Sequence, residues 1–219
     1  MKHILKTSSA GQPNPGQSSV HDFVCSVISS KDKSSVVYFM YAAQSRFAAS
    51  GKEPGNFITI NALLSYPLSR GYAHVNSASP AAKPLIDPKY LSHPMDLEIQ
   101  ARYLRYIETI AATEPLASLL KPQGQRIPHF ARVGSELDSA KEYVRRTMTS
   151  GWHPVGTCAM RPRADGGVVN ERLVVHGTRN LRVVDASIMS LIPRGNLQST
   201  VYAVAERAAD LIKEDHGLM

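Results

Sequence analysis

Residues 150–162 read SGWHPVGTCAMRP and contain the only tryptophan of the chain, Trp152, directly before a histidine and a proline. Gly151 and Gly156 lie on either side, and Pro154 restricts the backbone beside His153. A neutral imidazole held at hydrogen-bond distance from a hydroxyl can accept its proton. The segment leaves two interpretations of His153 open: a packed structural histidine or a general base.

Two further polar residues follow in order along the chain. In IPRGNLQSTVYA, Asn196 precedes a helix, where its side chain can cap the first turn or hydrogen-bond a substrate oxygen near the positive end of the helix dipole. One side-chain oxygen cannot do both, and Ser199 or Thr200 can serve as the cap instead. Asp185 ends the apolar run LRVVD, where it either starts a turn or lies at the carboxyl edge of a ligand-binding sheet.

Signature motifs of several enzyme classes are absent from the sequence. The sequence lacks the motifs GxSxG, HExxH, GxxxxGK[ST] and GxGxxG. Their absence argues against a hydrolase, a zinc protease and a protein that binds nucleotides on its own. The two cysteines, Cys25 and Cys158, form no CxxC pair, so neither a structural zinc site nor a dense disulfide framework is expected. No metal site is predicted.

Composition sets further bounds on the protein. With 219 residues and 43% hydrophobic content, the chain can build the core of one domain or of two small ones. Its net charge of +7 comes from scattered side chains, which favours a solvated basic surface over a nucleic-acid interface. The apolar runs are too short for a membrane span, and no apolar region of a secretory signal follows the N-terminal lysines. For a chain with a complete N-terminus, we expect a cytoplasmic protein.

Strand signals concentrate in the first third of the chain and near its end. Residues 1–20 are rich in Ser, Gly, Pro and Gln and predict a disordered leader. FVCSVI (23–28) and SVVYFMYAA (35–43) predict strands, and alternation over residues 57–62 predicts another. Short apolar runs separated by turns predict further strands within residues 166–189.

Three helices are predicted from apolar residues spaced three and four apart. The first covers Pro94–Thr113, with Pro94 in its first turn. The second covers Ser139–Thr149, and the third begins near Ser199 and ends before a C-capping Gly217.

Together, GWHPVGTCAM (151–160), GGVVNERLVVHGTRNLRVVDASIM (166–189) and GNLQSTVYAVAERAADLI (195–212) resemble the C-terminal portion of the glucose-methanol-choline (GMC) family of FAD-dependent alcohol oxidoreductases. SRGYAHVNSASPAAKPLIDPKYLSHPMDLE (69–98) is similar to part of the family's substrate domain. The likeness covers residues 55–215. Three motifs in the family's order and spacing are more specific than any one of them.

The resemblance implies an α+β fold with a mostly antiparallel sheet of about six strands and helices packed on one face. It also implies three regions: the leader, a substrate-binding domain over residues 21–150, and an active-site and FAD-contacting segment over residues 151–219. In complete family members, the strand and helix of that last segment belong to the FAD domain.

The resemblance also assigns roles to individual residues. His153 falls on the catalytic histidine, which takes the proton of a substrate hydroxyl while a hydride leaves the carbon for the flavin. Asn196 falls on the second active-site position and hydrogen-bonds the alcohol oxygen. The residues implied to contact FAD are Trp152, Asp185, Ala186, Asn196 and Leu197.

The cofactor-binding half of the family has no counterpart in this sequence, because the GxGxxG unit is missing. We therefore expect a small alcohol as substrate, FAD as cofactor and a separate or missing N-terminal FAD-binding half as partner, with no membrane or nucleic-acid partner. The alternative function is that of a non-catalytic remnant that serves as an interaction module.

Overall fold

The elements of the protein are defined by a computed structural model, which describes residues 15–45, 52–127 and 136–218. In chain order they are helix α1 (Pro15–Ser29), strands β1 (Val36–Tyr41), β2 (Thr59–Leu64), β3 (Tyr72–His74) and β4 (Leu85–Asp87), and helices α2 (Pro94–Ala111), α3 (Leu116–Leu119), α4 (Leu137–Thr147) and α5 (Gln198–Asp215). Two 3-10 helices, Arg163–Asp165 and Ala186–Ile188, precede α5. The predicted α+β class is confirmed.

The chain divides into two compact units. The first contains Ser65–Tyr90 and the chain from Trp152 onward, together with the N-terminal part up to Ser35. The second contains Val36–Leu64 and Leu91–Gly151. The assignment of residues 21–150 to substrate binding and of residues 151–219 to FAD contact stays a prediction.

The second unit is built on the antiparallel pair β1–β2, in which Tyr38 lies opposite Ala62. Helix α2 packs against this pair: Gln100 Nε2 donates to the carbonyl of Ala62 (2.7 Å), and the hydroxyl of Tyr38 donates to the carbonyl of Tyr103 (3.1 Å). Burial raises the pKa of Tyr38 to about 12. These contacts confirm the two strands predicted in this region.

Helices α2 and α4 of the second unit begin and end near their predicted bounds, whereas the short α3 was not predicted. Pro94 occupies the first turn of α2, and His93 caps that turn because its Nδ1 accepts from the backbone N–H of Met95 (3.2 Å). Helix α4 packs its buried Ala140 and Val144 against α2. Periodic apolar spacing and a favourable cap are local signals, which is why the sequence predicted both helices.

Helix α1, in the first unit, corrects two predictions. It begins at Pro15, inside the predicted leader, and it includes FVCSVI, which was expected to be a strand. Val20, Val24 and Val27 lie four and three residues apart, so they share one helical face, which packs on Tyr66. Burial of this face outweighs the β propensity of valine. The rest of the predicted leader, residues 1–14, lies outside the described residues.

The expected single sheet of about six strands is also corrected. The described residues form four strands in two separate antiparallel pairs, β1–β2 and β3–β4. Where strands were predicted over residues 166–189, only isolated bridges form, such as Val169 with Val175 and Val174 with Arg182. Closely spaced turns leave each extended run too short to build a ladder.

The core of the first unit lies beneath α5. Ala208 and Leu211 of that helix pack against Val169, Leu173 and Ile188. Gly217 follows the helix with a φ of 63°, the left-handed conformation predicted for a C-terminal glycine. This core supports the segments that contain the predicted site residues.

The sequence predicts neither a membrane span nor a metal site. Across the described ranges, no helix combines the length and apolar character needed to cross a membrane. Within the same residues, no three potential ligand side chains of His, Cys, Asp or Glu converge as a metal site would require.

Candidate active site

The structure brings His153 and Asn196 together in the first unit. Nε2 of His153 lies 2.9 Å from Oδ1 of Asn196, although 43 residues separate them in the sequence. His153 is half-buried and Asn196 is exposed, so the pair faces solvent in this chain. A histidine ring nitrogen paired with an amide can hold or release a proton at a defined position.

The backbone around His153 explains how its ring is presented. Trp152 has a φ of 61°, in the left-handed region that tryptophan rarely adopts, and its side chain is 68% exposed. Gly156 has a φ of 87°, and a Cβ there would lie 3.2 Å from the carbonyl oxygen of Met189. A side chain would therefore be strained at Gly156, and glycine is favoured at this turn.

The segment after this turn is tied to the chain just before Asn196. The backbone N–H of Cys158 donates to the carbonyl of Ser187 (3.0 Å), and that of Met160 donates to the carbonyl of Ile188 (2.8 Å). On the other side, Val168 N–H donates to the carbonyl of Ala159 (2.9 Å). Backbone hydrogen bonds thus hold together the two loops that carry His153 and Asn196.

The structure does not show Asn196 as the cap of α5, and its hydrogen bond to a substrate oxygen stays a prediction. Helix α5 has Leu197 as its N-cap residue, and no side chain caps its first turn. The amide of Asn196 instead contacts His153. Leu197 is buried, so its side chain packs within the protein, while its backbone lies at the uncapped helix start.

Asp185 has the turn role that was one of its two interpretations. Its Oδ1 accepts from the backbone N–H of Ser187 (2.7 Å) and thereby caps the short helix that Ala186 begins. The Oγ of Ser187 is buried and has no hydrogen-bond partner. Asp185 is exposed, and nothing in this arrangement prevents it from also contacting a ligand.

Sequence reasoning missed two residues that support this site. Arg161 donates from Nη2 to the carbonyl of Ser190 (3.1 Å), and Ser190 Oγ donates to the carbonyl of Met160 (3.0 Å). Both bonds join the two site segments. Neither residue belongs to a local pattern that predicts such a contact, since each partner is about thirty positions away.

Comparison with known proteins identifies the family of this chain. A sequence model described as GMC oxidoreductase matches residues 67–205, the larger part of the chain. The chain belongs to the GMC oxidoreductase family. The match includes His153, Asp185 and Asn196, and it confirms the C-terminal portion of the family that the sequence motifs resemble.

Curated members of the GMC family are much longer than this chain. It is 40% identical over 153 residues to Dehydrogenase mpl7 of Monascus purpureus, which covers 69% of this chain and 23% of that protein. It is 38% identical over 158 residues to the GMC oxidoreductase family protein Mala s 12 of Malassezia sympodialis, covering 71% of this chain and 24% of that protein. The chain therefore spans less than a third of these relatives.

Solved structures of GMC relatives share the fold. A fungal aryl-alcohol oxidase is 30% identical with a TM-score of 0.75, covering 92% of this chain and 32% of its own. A formate oxidase variant from Aspergillus oryzae, studied for its effect on FAD modification, is 29% identical with a TM-score of 0.66, covering 76% of this chain and 29% of its own. Similar folds thus occur as parts of larger oxidases.

Proposed function

We propose that this chain is the C-terminal portion of an FAD-dependent oxidoreductase that oxidises an alcohol to an aldehyde or ketone, with His153 as the general base. The observation that carries the proposal is the contact between His153 Nε2 and Asn196 Oδ1 at 2.9 Å. It joins the two polar residues that the sequence resemblance assigns to the family's active-site positions. The names of the aryl-alcohol oxidase and formate oxidase relatives support oxidase chemistry of this kind.

The hydrogen bond between His153 and Asn196 has two forms. With the amide oxygen facing the ring, Nε2 carries the proton and donates it to Oδ1. Rotation of the amide presents its N–H groups instead, and Nε2 then keeps its lone pair. Only in the second form does Nε2 have a lone pair that can accept a proton. The orientation of the Asn196 amide therefore determines whether Nε2 can act as a base.

In the proposed complex, an alcohol hydroxyl would replace the direct 2.9 Å contact between His153 and Asn196 and bond to both side chains. The hydroxyl would donate a proton to the lone pair of His153, and an N–H of Asn196 would donate to its oxygen. This amide bond strengthens as the oxygen gains negative charge, so it stabilises the alkoxide that proton removal forms. Within this chain, His153 moves the proton and Asn196 fixes the oxygen.

The described residues provide polar groups that fit a cofactor such as FAD. The first-turn N–H groups of α5 have no side-chain cap, and such a helix start favours an electron-rich acceptor. The buried Oγ of Ser187 has no partner, and it lies next to Asp185 and Ala186 in the segment expected to contact FAD. These N–H and hydroxyl groups can donate hydrogen bonds to a polar cofactor along this segment.

We assign the predicted FAD contacts to residues in two segments. Trp152 offers an exposed aromatic surface beside His153, and Asp185 with Ala186 offers polar groups at a 3-10 helix. Asn196 and Leu197 lie at the start of α5. Bound FAD would supply the two-electron acceptor that amino-acid side chains lack.

The N-terminal portion of longer relatives is the proposed partner. Because the sequence has no GxGxxG unit, the phosphates of FAD would be bound by residues outside this chain. Such a partner would also exclude water from the exposed pair of His153 and Asn196, which increases the strength of its electrostatic interactions. A non-catalytic interaction module is less favoured, because that role does not require His153 and Asn196 to be paired.

The experiment uses the flavin-loaded protein, prepared by expressing the chain together with a candidate N-terminal partner that contains a GxGxxG unit. Substitution His153→Ala should leave flavin absorbance unchanged and lower alcohol turnover by about 10²–10⁴-fold. The matched control is His74→Ala, which removes an exposed histidine of β3 in the same unit. Full turnover in His153→Ala would overturn the assignment of the base, and absence of flavin from the joined protein would overturn the cofactor.

A further inference from the structure

We propose that Arg161 is a positioning residue that fixes His153 relative to Asn196. This inference rests on the proposed function, because it explains how the base is held in place. The guanidinium of Arg161 hydrogen-bonds the carbonyl of Ser190, at the start of the loop that leads to Asn196. It acts through the segment that precedes Asn196.

A reciprocal pair of hydrogen bonds joins the two site segments. Arg161 Nη2 donates to the carbonyl of Ser190 (3.1 Å), and Ser190 Oγ donates to the carbonyl of Met160 (3.0 Å). We call these two bonds the Arg161–Ser190 clamp. It reinforces the backbone bonds between residues 158–160 and 187–188 at the end that leads to Asn196.

The backbone of Arg161 is itself held on its other side. Its N–H donates to the carbonyl of Val169 (3.3 Å), and its carbonyl accepts from Nε2 of His176 (2.9 Å). Gly167 packs so closely that a Cβ there would lie 2.0 Å from the carbonyl oxygen of Arg161. The backbone position of Arg161 is therefore fixed. The hydrogen bond from its guanidinium to Ser190 restricts the path of the loop that follows Ser190.

The chain from Ser190 to Asn196 forms no helix or strand. The direction of such a loop depends strongly on how its first residue is held. On the opposite side, the turn with Gly156 links His153 to the same clamped segment. The Arg161–Ser190 clamp thus holds the segments that carry both His153 and Asn196. Loss of the clamp would lengthen the 2.9 Å contact between these two side chains.

The test follows the pair directly by NMR of the isotopically labelled chain, without FAD or substrate. The His153 ring nitrogens report the position of the ring proton, and the Asn196 side-chain amide reports its hydrogen bond. Substitution Arg161→Met keeps the length of the side chain but removes its donors. We expect loss of the hydrogen-bonded signals and averaging of the two ring tautomers. Arg161→Lys keeps one charged donor and should restore part of the native spectrum.

Two further variants separate positioning from general loss of stability. Ser190→Ala removes one bond of the clamp and should shift the same His153 and Asn196 signals by a smaller amount. Arg172→Met removes an arginine that binds Glu214 and Asp215 at the end of α5, and it should lower stability without moving those signals. If Arg161→Met fails to fold, Ser190→Ala and Arg161→Lys still decide the question.

Native His153 and Asn196 signals in the folded clamp variants would overturn the proposal. Equal shifts in Arg172→Met would also overturn it, because they would show a general effect of instability. Neither outcome bears on whether His153 is a base, since turnover of the flavin-loaded protein tests that role separately. Conversely, a turnover-competent His153→Ala variant would end the catalytic role and leave the clamp as a structural finding.

Discussion

The Nε2 atom of His153 lies 2.9 Å from Oδ1 of Asn196, at the start of a helix whose first turn has no side-chain cap. Asparagine at such a position commonly caps the helix. Here its amide is directed to a histidine from a distant segment. The helix start consequently keeps its unpaired N–H groups, which suits a helix that begins at a ligand site.

Replacing the amide by a carboxylate should make this contact depend on pH. In Asn196→Asp, the new carboxylate favours the protonated imidazole of His153. Relative to Asn196→Ala, Asn196→Asp should be more stable where the imidazole is protonated, and the difference should be lost as the pH rises, because the carboxylate stabilises only the charged ring. Because the pair is exposed, we expect about 0.5–1 kcal/mol. Urea unfolding of both variants over a range of pH measures the difference; a difference that does not change with pH would contradict the contact.

The conformation of Trp152 predicts an unusual order of stability for two small substitutions. A residue with a Cβ is strained at a φ of 61°, whereas glycine is not. Trp152→Gly should therefore be more stable than Trp152→Ala by about 1 kcal/mol. Thermal unfolding of the two variants side by side provides the measurement. If the alanine variant is the more stable, the left-handed conformation at this position is wrong.

Two glycines near the site should respond differently to the same substitution. A Cβ on Gly167 would lie 2.0 Å from the carbonyl oxygen of Arg161, so Gly167→Ala must move backbone and should cost about 2 kcal/mol or more. A Cβ on Gly195 meets no atom within 4 Å, so Gly195→Ala should stay within about 1 kcal/mol of the native chain. Denaturant unfolding compares them, and similar losses in both would contradict the close packing of Gly167.

The charged groups at the end of α5 should increase the free energy of unfolding at neutral pH, and this contribution should be lost in acid. Hydrogen bonds from Arg172 hold the pKa values of Glu214 and Asp215 below their usual range, with Arg207 and Arg182 adding to the effect. Lowered carboxyl pKa values stabilise the folded chain above about pH 4.5 and cease to do so as both groups become protonated at lower pH. Arg172→Met should thus lower the unfolding midpoint at neutral pH, and this effect should decrease progressively as the pH falls below about 4.

The control for this prediction is Arg179→Met, which removes an exposed arginine from a neighbouring turn. It should change the midpoint little at either pH. An effect of Arg172→Met that is the same in acid and at neutral pH would show that packing of the arginine, rather than its charge, stabilises α5.

Local signals explain the elements that the sequence predicted. Helices α2 and α5 show regular apolar spacing with Pro94 at one start and Gly217 after one end, and both signals act within a few residues. Helix α1 had the same kind of signal in Val20, Val24 and Val27, but its β-branched content pointed to a strand. The number of strands was not predictable in this way, because pairing depends on partners far along the chain.

The sequence by itself determined the family and led to the prediction of its site residues, because GWHPVGTCAM, the run ending at Asp185 and the segment starting at Gly195 occur in a specific order. Only the tertiary structure decided that Asn196 meets His153 rather than capping α5, and that Arg161 and Ser190 join the loops between them. The physical reason is one of range. Helix spacing, turns and caps act between near neighbours, whereas these contacts depend on how loops 43 residues apart are folded against a common core.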